Sequence, residues 1–330
     1  MKKTTQEIIE QDRRNGTSWL STGIGSLDAI WGGGLPSARI VEMHSEFGLG
    51  MTKIALQLAA DVVKSGLNVA YFDVARILTL DLEQEFVWGK NGGNFQNWGQ
   101  FDVYCPTTFS QVAYTMENAY ESEMGYDLII IDSLSCIQMG DHCANNEDEN
   151  SPGDIVMMEF AKDSLVKSFR NVIDENLISL SVLVLNNKHA DTTQAGFPNS
   201  PWSSDLDNLF DIRTAIAPGI SLGSAGVEDK GYFPIDLVAW NTKDYRFCPC
   251  TVVPLVRATD GSIDEAMSLA TFLVKHGVIK RDGENYSVLG EQEPIAGLDR
   301  LRDWAEENIR EVMNLAEKVV ARTSAESTGS

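Results

Sequence analysis

From residue 20 onward the chain switches repeatedly between two hydrophobic periods. Arg39 to His44 (RIVEMH) alternates apolar and polar positions as a strand does. The TKIALQLAADVVK stretch at 52–64 then repeats its apolar residues at the three-to-four spacing of one helix face. NVAYFD (68–73) predicts the next strand, 80–90 a helix, FDVY (101–104) a strand and 110–124 a helix. Tyr126 to Asp132 is a mostly apolar run ending in an acid, and SLSVLVLN (179–186) is another apolar run. Runs without alternation suit strands buried on both faces of a parallel sheet. A long amphipathic helix over 155–175 is expected between them.

Strands alternating with helices predict an α/β fold with a mostly parallel sheet and helices on both faces. The texture changes after residue 205. FDIRTAIA, FPIDLVAWN and CTVVPLV follow one another with no helix between, so the sheet should end in antiparallel pairs. Residues 263–276 read as a helix, 297–320 as a charged amphipathic helix, and TSAESTGS as an unordered tail. The expected division is an N-terminal helix within 1–18, a core over 19–260, a small C-terminal α/β module over 261–322 and a tail over 323–330.

Composition narrows the function. Hydrophobic residues make up 43% of the 330, enough for a packed core. Asp plus Glu is 48 against 26 Lys plus Arg, a net charge of −22, so the chain shows no general basic face for nucleic acid. No apolar run reaches membrane-spanning length, and the first residues, MKKTTQEIIEQDRRNG, lack a signal-peptide stretch. A soluble cytoplasmic protein is expected, in a host's cytoplasm if the chain is viral. The cysteines are 105, 136, 143, 248 and 250; the odd count and the spacing favour reduced thiols over a disulfide framework or a metal knuckle.

Candidate chemistry lies between the first strand and its helix. A strand, a Gly-bearing loop and a helix start form the geometry that cradles phosphate on backbone N–H groups. The working pattern is G-x-x-x-x-G-K-[ST]. Here the stretch reads Ser45-Glu46-Phe47-Gly48-Leu49-Gly50-Met51-Thr52. The second Gly and the hydroxyl are kept as Gly50 and Thr52, the first Gly is Ser45, and Met51 stands where a Lys would bind phosphate. Lys53 follows two residues later, a spacing that should point it elsewhere. Glu46 adds negative charge within the loop.

The motifs around this loop occur in a telling order. Ser21-Thr22-Gly23-Ile24-Gly25-Ser26-Leu27-Asp28, then Gly33-Gly34-Leu35-Pro36, then Arg39-Ile40-Val41-Glu42 closely resemble the entry to the core of the RecA family of recombinases. Thr259 to Asp264, Leu273 to Ile279 and Asn285-Tyr286 resemble the end of that core, including in its phage-encoded UvsX-type members. The resemblance spans roughly residues 20–320. It implies a RecA-type P-loop ATPase core, ATP with Mg²⁺ as ligands, filament formation through the N-terminal helix, and a role in DNA recombination.

Carried over residue by residue, the resemblance also marks what is missing. Asp132, in IIIDS, takes the place of the acid that acts with the Thr52 hydroxyl on Mg²⁺. Where the family has Asp-Ala-Glu, with the Glu orienting the attacking water, this chain has Asp73-Val74-Ala75. Where the family senses the γ-phosphate with Gln, it has Asn187. Met51, Ala75 and Asn187 thus lack the charge, base and amide that hydrolysis uses. The family's first DNA loop corresponds to Gly140 to Asp154, with five acids and no Lys or Arg, which opposes phosphate binding. The second follows Asn187 and offers Lys188, His189, Phe197 and Trp202 as DNA-contact candidates. Lys243 is a candidate remnant of the basic residues that family members lend to a neighbour's ATP.

Three readings follow. The favoured one is a degenerate RecA- or UvsX-like protein of recombination and repair that assembles with itself or a recombinase partner and hydrolyses ATP weakly or not at all. An active strand-exchange ATPase could instead use Lys53 or a neighbour's cation. A scaffold without nucleotide would use its acidic surface to hold a protein partner.

Overall fold

The computed structural model describes residues 19–88, 97–121, 125–138, 165–171, 180–187, 210–219, 233–242, 252–288 and 291–328, apart from single positions within those ranges. The N-terminal segment 1–18 and the acidic loop 140–154 lie outside them, as does most of the 155–175 helix.

The entry motif folds into a tight turn. β1 (Trp19–Leu20) pairs antiparallel with β2 (Leu35–Pro36), with α1 (Gly25–Ile30) between them. The Asp28 carboxylate holds this turn, accepting from Ser21 Oγ at 2.9 Å and from Thr22 Oγ1 at 2.7 Å.

The central sheet contains β3 (Arg39–Ser45), β4 (Val69–Asp73), β5 (Phe101–Tyr104), β6 (Leu128–Asp132), β7 (Ser181–Asn187), β8 (Ile212–Pro218), β9 (Phe233–Thr242) and β10 (Val252–Arg257). Their order across the sheet is β10-β9-β8-β3-β7-β6-β4-β5. The six strands from β8 to β5 run parallel, while β9 and β10 are antiparallel. The helix-free end of the pattern thus supplies the expected antiparallel pairs, with β8 joining β3 in parallel. Every residue of β4 and β6 is buried, as unalternating strands require.

Helices cover both faces. α2 (Met51–Lys64) follows β3 and buries Ile54, Ala55, Leu58 and Val62 against one side. α3 (Leu80–Glu83) runs into a single π turn to Trp88. α4 (Phe109–Glu121) packs Val112 and Met116 on the opposite side, together with Leu165 and Phe169. Successive crossover helices on opposite faces leave a crevice at the carboxyl ends of the strands, where α/β sheets bind ligands.

α5 (Glu265–Lys275) begins at an Asp264 cap that accepts from Met267 N at 3.0 Å. The small sheet β11 (Lys280–Asp282), β12 (Asn285–Ser287) and β13 (Ile295–Ala296) follows. The helix expected over 297–320 is two helices, α6 (Leu298–Glu307) and α7 (Ile309–Thr328), broken at Asn308. Helix α7 continues to Thr328, so most of the stretch expected to be unordered is helical. One apolar cluster runs from Ile24 and Leu27 through α2 to Leu273, Leu301 and Val312. Among the described residues no helix is long and apolar enough to cross a membrane.

Candidate functional site

β3 delivers the chain to a loop at the carboxyl edge of the sheet, and the loop ends at the first turn of α2. Gly48 and Gly50 have φ of 88° and 87°, in the left-handed region that glycine adopts at little cost. Gly50 is the N-cap of α2, so the helix's first N–H groups face the loop. A cavity of about 540 Å³ opens here, with Ser45, Glu46, Gly48, Met51, Thr52 and Ala75 among its walls.

The residue at the Lys position is turned into the core. Met51 is 4% exposed and belongs to the apolar cluster, with its Sδ 3.8 Å from Ser45 Oγ. The next residue keeps its polar role. Thr52 Oγ1 donates to Asp132 Oδ2 at 2.7 Å, joining the start of α2 to the end of β6. Tyr71, from β4, donates its hydroxyl to the same oxygen at 2.7 Å. Burial raises the Asp132 carboxyl above its ordinary value; the Tyr71 and Thr52 hydrogen bonds oppose that shift, and nearby Asp73 adds to it.

Asp132 Oδ1 is buried with no hydrogen-bond partner among the described residues. A buried, unpaired carboxylate oxygen beside a Thr hydroxyl is an oxygen donor set that fits a hard divalent cation. Asp132 and Thr52 would hold Mg²⁺, which would supply charge neutralisation for phosphate.

Asp73 shapes the neighbouring loop. Its carboxylate accepts from Ile77 N at 3.0 Å and Leu78 N at 3.1 Å. That turn carries Ala75, whose N–H bonds the Asp132 carbonyl at 3.0 Å and which lines the cavity. A methyl offers no base to a water molecule.

No protein-family model matches the chain. Among curated proteins it is 22% identical over 277 residues to a plasmid RecA protein of Lactococcus lactis subsp. lactis, an alignment that covers 83% of this chain and 75% of that protein. Over most of its length the chain is thus similar, at low identity, to a RecA protein. A stretch of 119 residues is 34% identical to the RecA proteins of two Anaplasma marginale strains, Florida and St. Maries, covering 36% of this chain and 31% of each of those proteins.

In this RecA-like chain, Ser45, Glu46, Gly48, Gly50, Met51 and Thr52 come together on one cavity, while Leu49 packs against the apolar cluster. Lys53 departs from the expectation set by its spacing. It lines the same cavity, and its ammonium donates to the Asp260 carbonyl in the turn that leads to α5. A long flexible stem reaches a rim that residue spacing along one helix does not reveal. Phe47, Lys188, His189, Phe197, Trp202 and Lys243, together with the Asn187 side chain, lie outside the described residues.

The reading from sequence missed Arg257. It is the last residue of β10, and its Nη1 donates to the Gly48 carbonyl at 2.9 Å. Its guanidinium carbon lies 5.5 Å from the centre of the Phe233 ring, its cross-strand partner on β9. The one sequence signal was a cation two residues before Thr259, where the TDGSID turn begins.

A second polar cluster ties the central strands together beside the site. Glu42 on β3 is fully buried and accepts from Arg213 Nε on β8 at 2.6 Å and from Asn186 Nδ2 on β7 at 2.9 Å. His44 Nδ1 lies 3.9 Å from the carboxylate. Burial pushes the Glu42 carboxyl up, but His44, Arg213 and Asn186 outweigh it, so the net shift is below the ordinary value.

Proposed function

We propose that this RecA-like chain acts in DNA recombination and repair as a protein that binds nucleotide but hydrolyses it weakly or not at all. It works through assembly with itself or with a recombinase partner, in the cytoplasm. One contrast within the site carries the reading. The Thr52–Asp132 pair suited to Mg²⁺ is intact, while Met51 is packed into the core and Ala75, with no carboxylate, lines the cavity. Losing one preorganised electrostatic group commonly costs about 10²–10³ in rate. Loss of the Lys and the Glu together, with Asn at the sensor position, leaves little rate enhancement for hydrolysis.

Single-stranded DNA is a proposed ligand through Lys188, His189, Phe197 and Trp202, with the acidic 140–154 loop limiting its affinity. Steady-state phosphate release from Mg-ATP, measured with and without single-stranded DNA, tests the reading. No DNA-stimulated turnover is expected, and clear stimulation overturns it. Electron microscopy with and without single-stranded DNA and an ATP analogue tests assembly. Filaments needing neither would point to a scaffold that holds a basic protein partner.

One observation favours a second reading, that of an active ATPase with a rewired site. Two cations, Lys53 and Arg257, line the cavity that Met51 no longer charges. On that reading Lys53→Ala or Arg257→Ala, and likewise Asp132→Ala, abolishes a measurable ATPase activity.

A further inference from the structure

We propose that Arg257 supplies, from within the same chain, the positive charge that position 51 has lost, so that the cavity takes the polyphosphate of a nucleoside triphosphate. This rests on the nucleotide reading above and adds the residue that carries the phosphate charge.

The placement of Arg257 is built by three features. Its Nη1 bonds the carbonyl of Gly48, one of the two left-handed glycines of the phosphate loop, so the guanidinium lies against the loop itself. The antiparallel register sets Arg257 opposite Phe233, and the ring flanks the guanidinium at 5.5 Å. The loop is also shaped to admit it: a Cβ at Gly50 would stand 2.7 Å from Nη1 and 3.1 Å from Arg257 Cδ. Gly50 therefore gives the helix its left-handed start and lets the arginine pass over that start. Arg257 lines the same cavity as Thr52.

The chemistry fits the geometry. A guanidinium is always charged, and its planar fork of five N–H donors can bond a phosphate in a bidentate manner. Lys53 is a second cation of the cavity, but its ammonium is engaged by the Asp260 carbonyl. Arg257 touches the loop whose backbone would cradle the phosphates. Its charge also offsets that of Glu46, which shares the cavity wall.

The test is calorimetric titration of the full chain, in Mg²⁺, with a non-hydrolysable ATP analogue, inorganic tripolyphosphate and adenosine. Arg257→Ala should raise Kd about 10–100-fold for the analogue and for tripolyphosphate, the range of a charge-assisted bond, and leave adenosine unchanged. Arg257→Gln should lose as much, since it keeps a donor for the Gly48 carbonyl without the charge; it also serves if the alanine variant unfolds. Adding Met51→Lys to either variant should recover most of the loss, which a merely structural role for Arg257 would not allow. Binding by both Arg257 variants equal to that of the parent chain overturns the proposal and leaves the nucleotide reading standing. A parent chain that binds neither the analogue nor tripolyphosphate at millimolar concentration overturns both. A loss seen only with Lys53→Ala moves the role to Lys53 and overturns the assignment to Arg257.

Discussion

Replacing Arg213 by Ala should be among the most damaging single changes outside the cavity. Glu42 is fully buried, and Arg213 is its one guanidinium partner among the described residues, at 2.6 Å. Without Arg213, the carboxylate keeps the Asn186 bond at 2.9 Å and His44 at 3.9 Å, neither of which replaces a contacting cation. Removing one member of a buried ion pair typically costs about 3–5 kcal/mol because the remaining charge cannot be solvated. Converting both residues to apolar ones of similar volume, Glu42→Leu with Arg213→Met, should recover most of that cost. The assay is denaturant unfolding of the three proteins, read as free energy at matched slope.

The same cluster gives a pH dependence. The folded-state carboxyl of Glu42 titrates below its ordinary value of 4.5. Its contribution to stability is therefore fully present above that value and is lost as the pH falls through the lower, folded-state value. The double variant should lack this component. An Arg213→Ala cost under about 1 kcal/mol, the worth of an exposed pair, would refute the account of the cluster as a clamp across β3, β7 and β8.

Other outcomes follow from the site. Thr52→Val removes the hydroxyl that bonds Asp132 and should abolish the gain in ATP-analogue affinity on adding Mg²⁺, while Mg²⁺-free binding changes little; titration with and without the metal reads it. Met51→Lys should tighten tripolyphosphate binding without creating an ATPase, because Ala75 still has no carboxylate; phosphate release should first appear when Ala75→Glu is added. Gly50→Ala should destabilise the fold by about 1–3 kcal/mol, from a non-glycine residue at a φ of 87° together with the clash against Arg257, and thermal unfolding measures it. Asp73→Ala should loosen the 74–78 turn by removing both carboxylate oxygens that accept from its backbone N–H groups, raising hydrogen exchange at the Ile77 and Leu78 amides.

Much of this protein is written locally. The strand and helix order came from two periodicities, and full burial of β6 from the absence of alternation. The place of the candidate loop came from one Gly-bearing stretch between a strand and a helix. The residue changes at 51, 75 and 187 are legible as identities alone. A break inside a charged helix was not: α6 and α7 part at Asn308 although the apolar pattern runs through it.

What only the tertiary structure decided are the meetings of residues far apart in the chain. Arg257 reaches Gly48 across 209 positions, Arg213 reaches Glu42 across 171, and Tyr71 reaches Asp132 across 61. Periodicity says which face of an element is buried. It does not say which strands become neighbours, or in what register. Here the order β10-β9-β8-β3-β7-β6-β4-β5 places the ends of β3, β4 and β6 on one edge, and the return from β10 lays its last residue over the loop after β3. The sequence thus marks a Gly-bearing loop with Met51 where the phosphate-loop pattern would have a lysine, and the fold shows Arg257 lying against that loop.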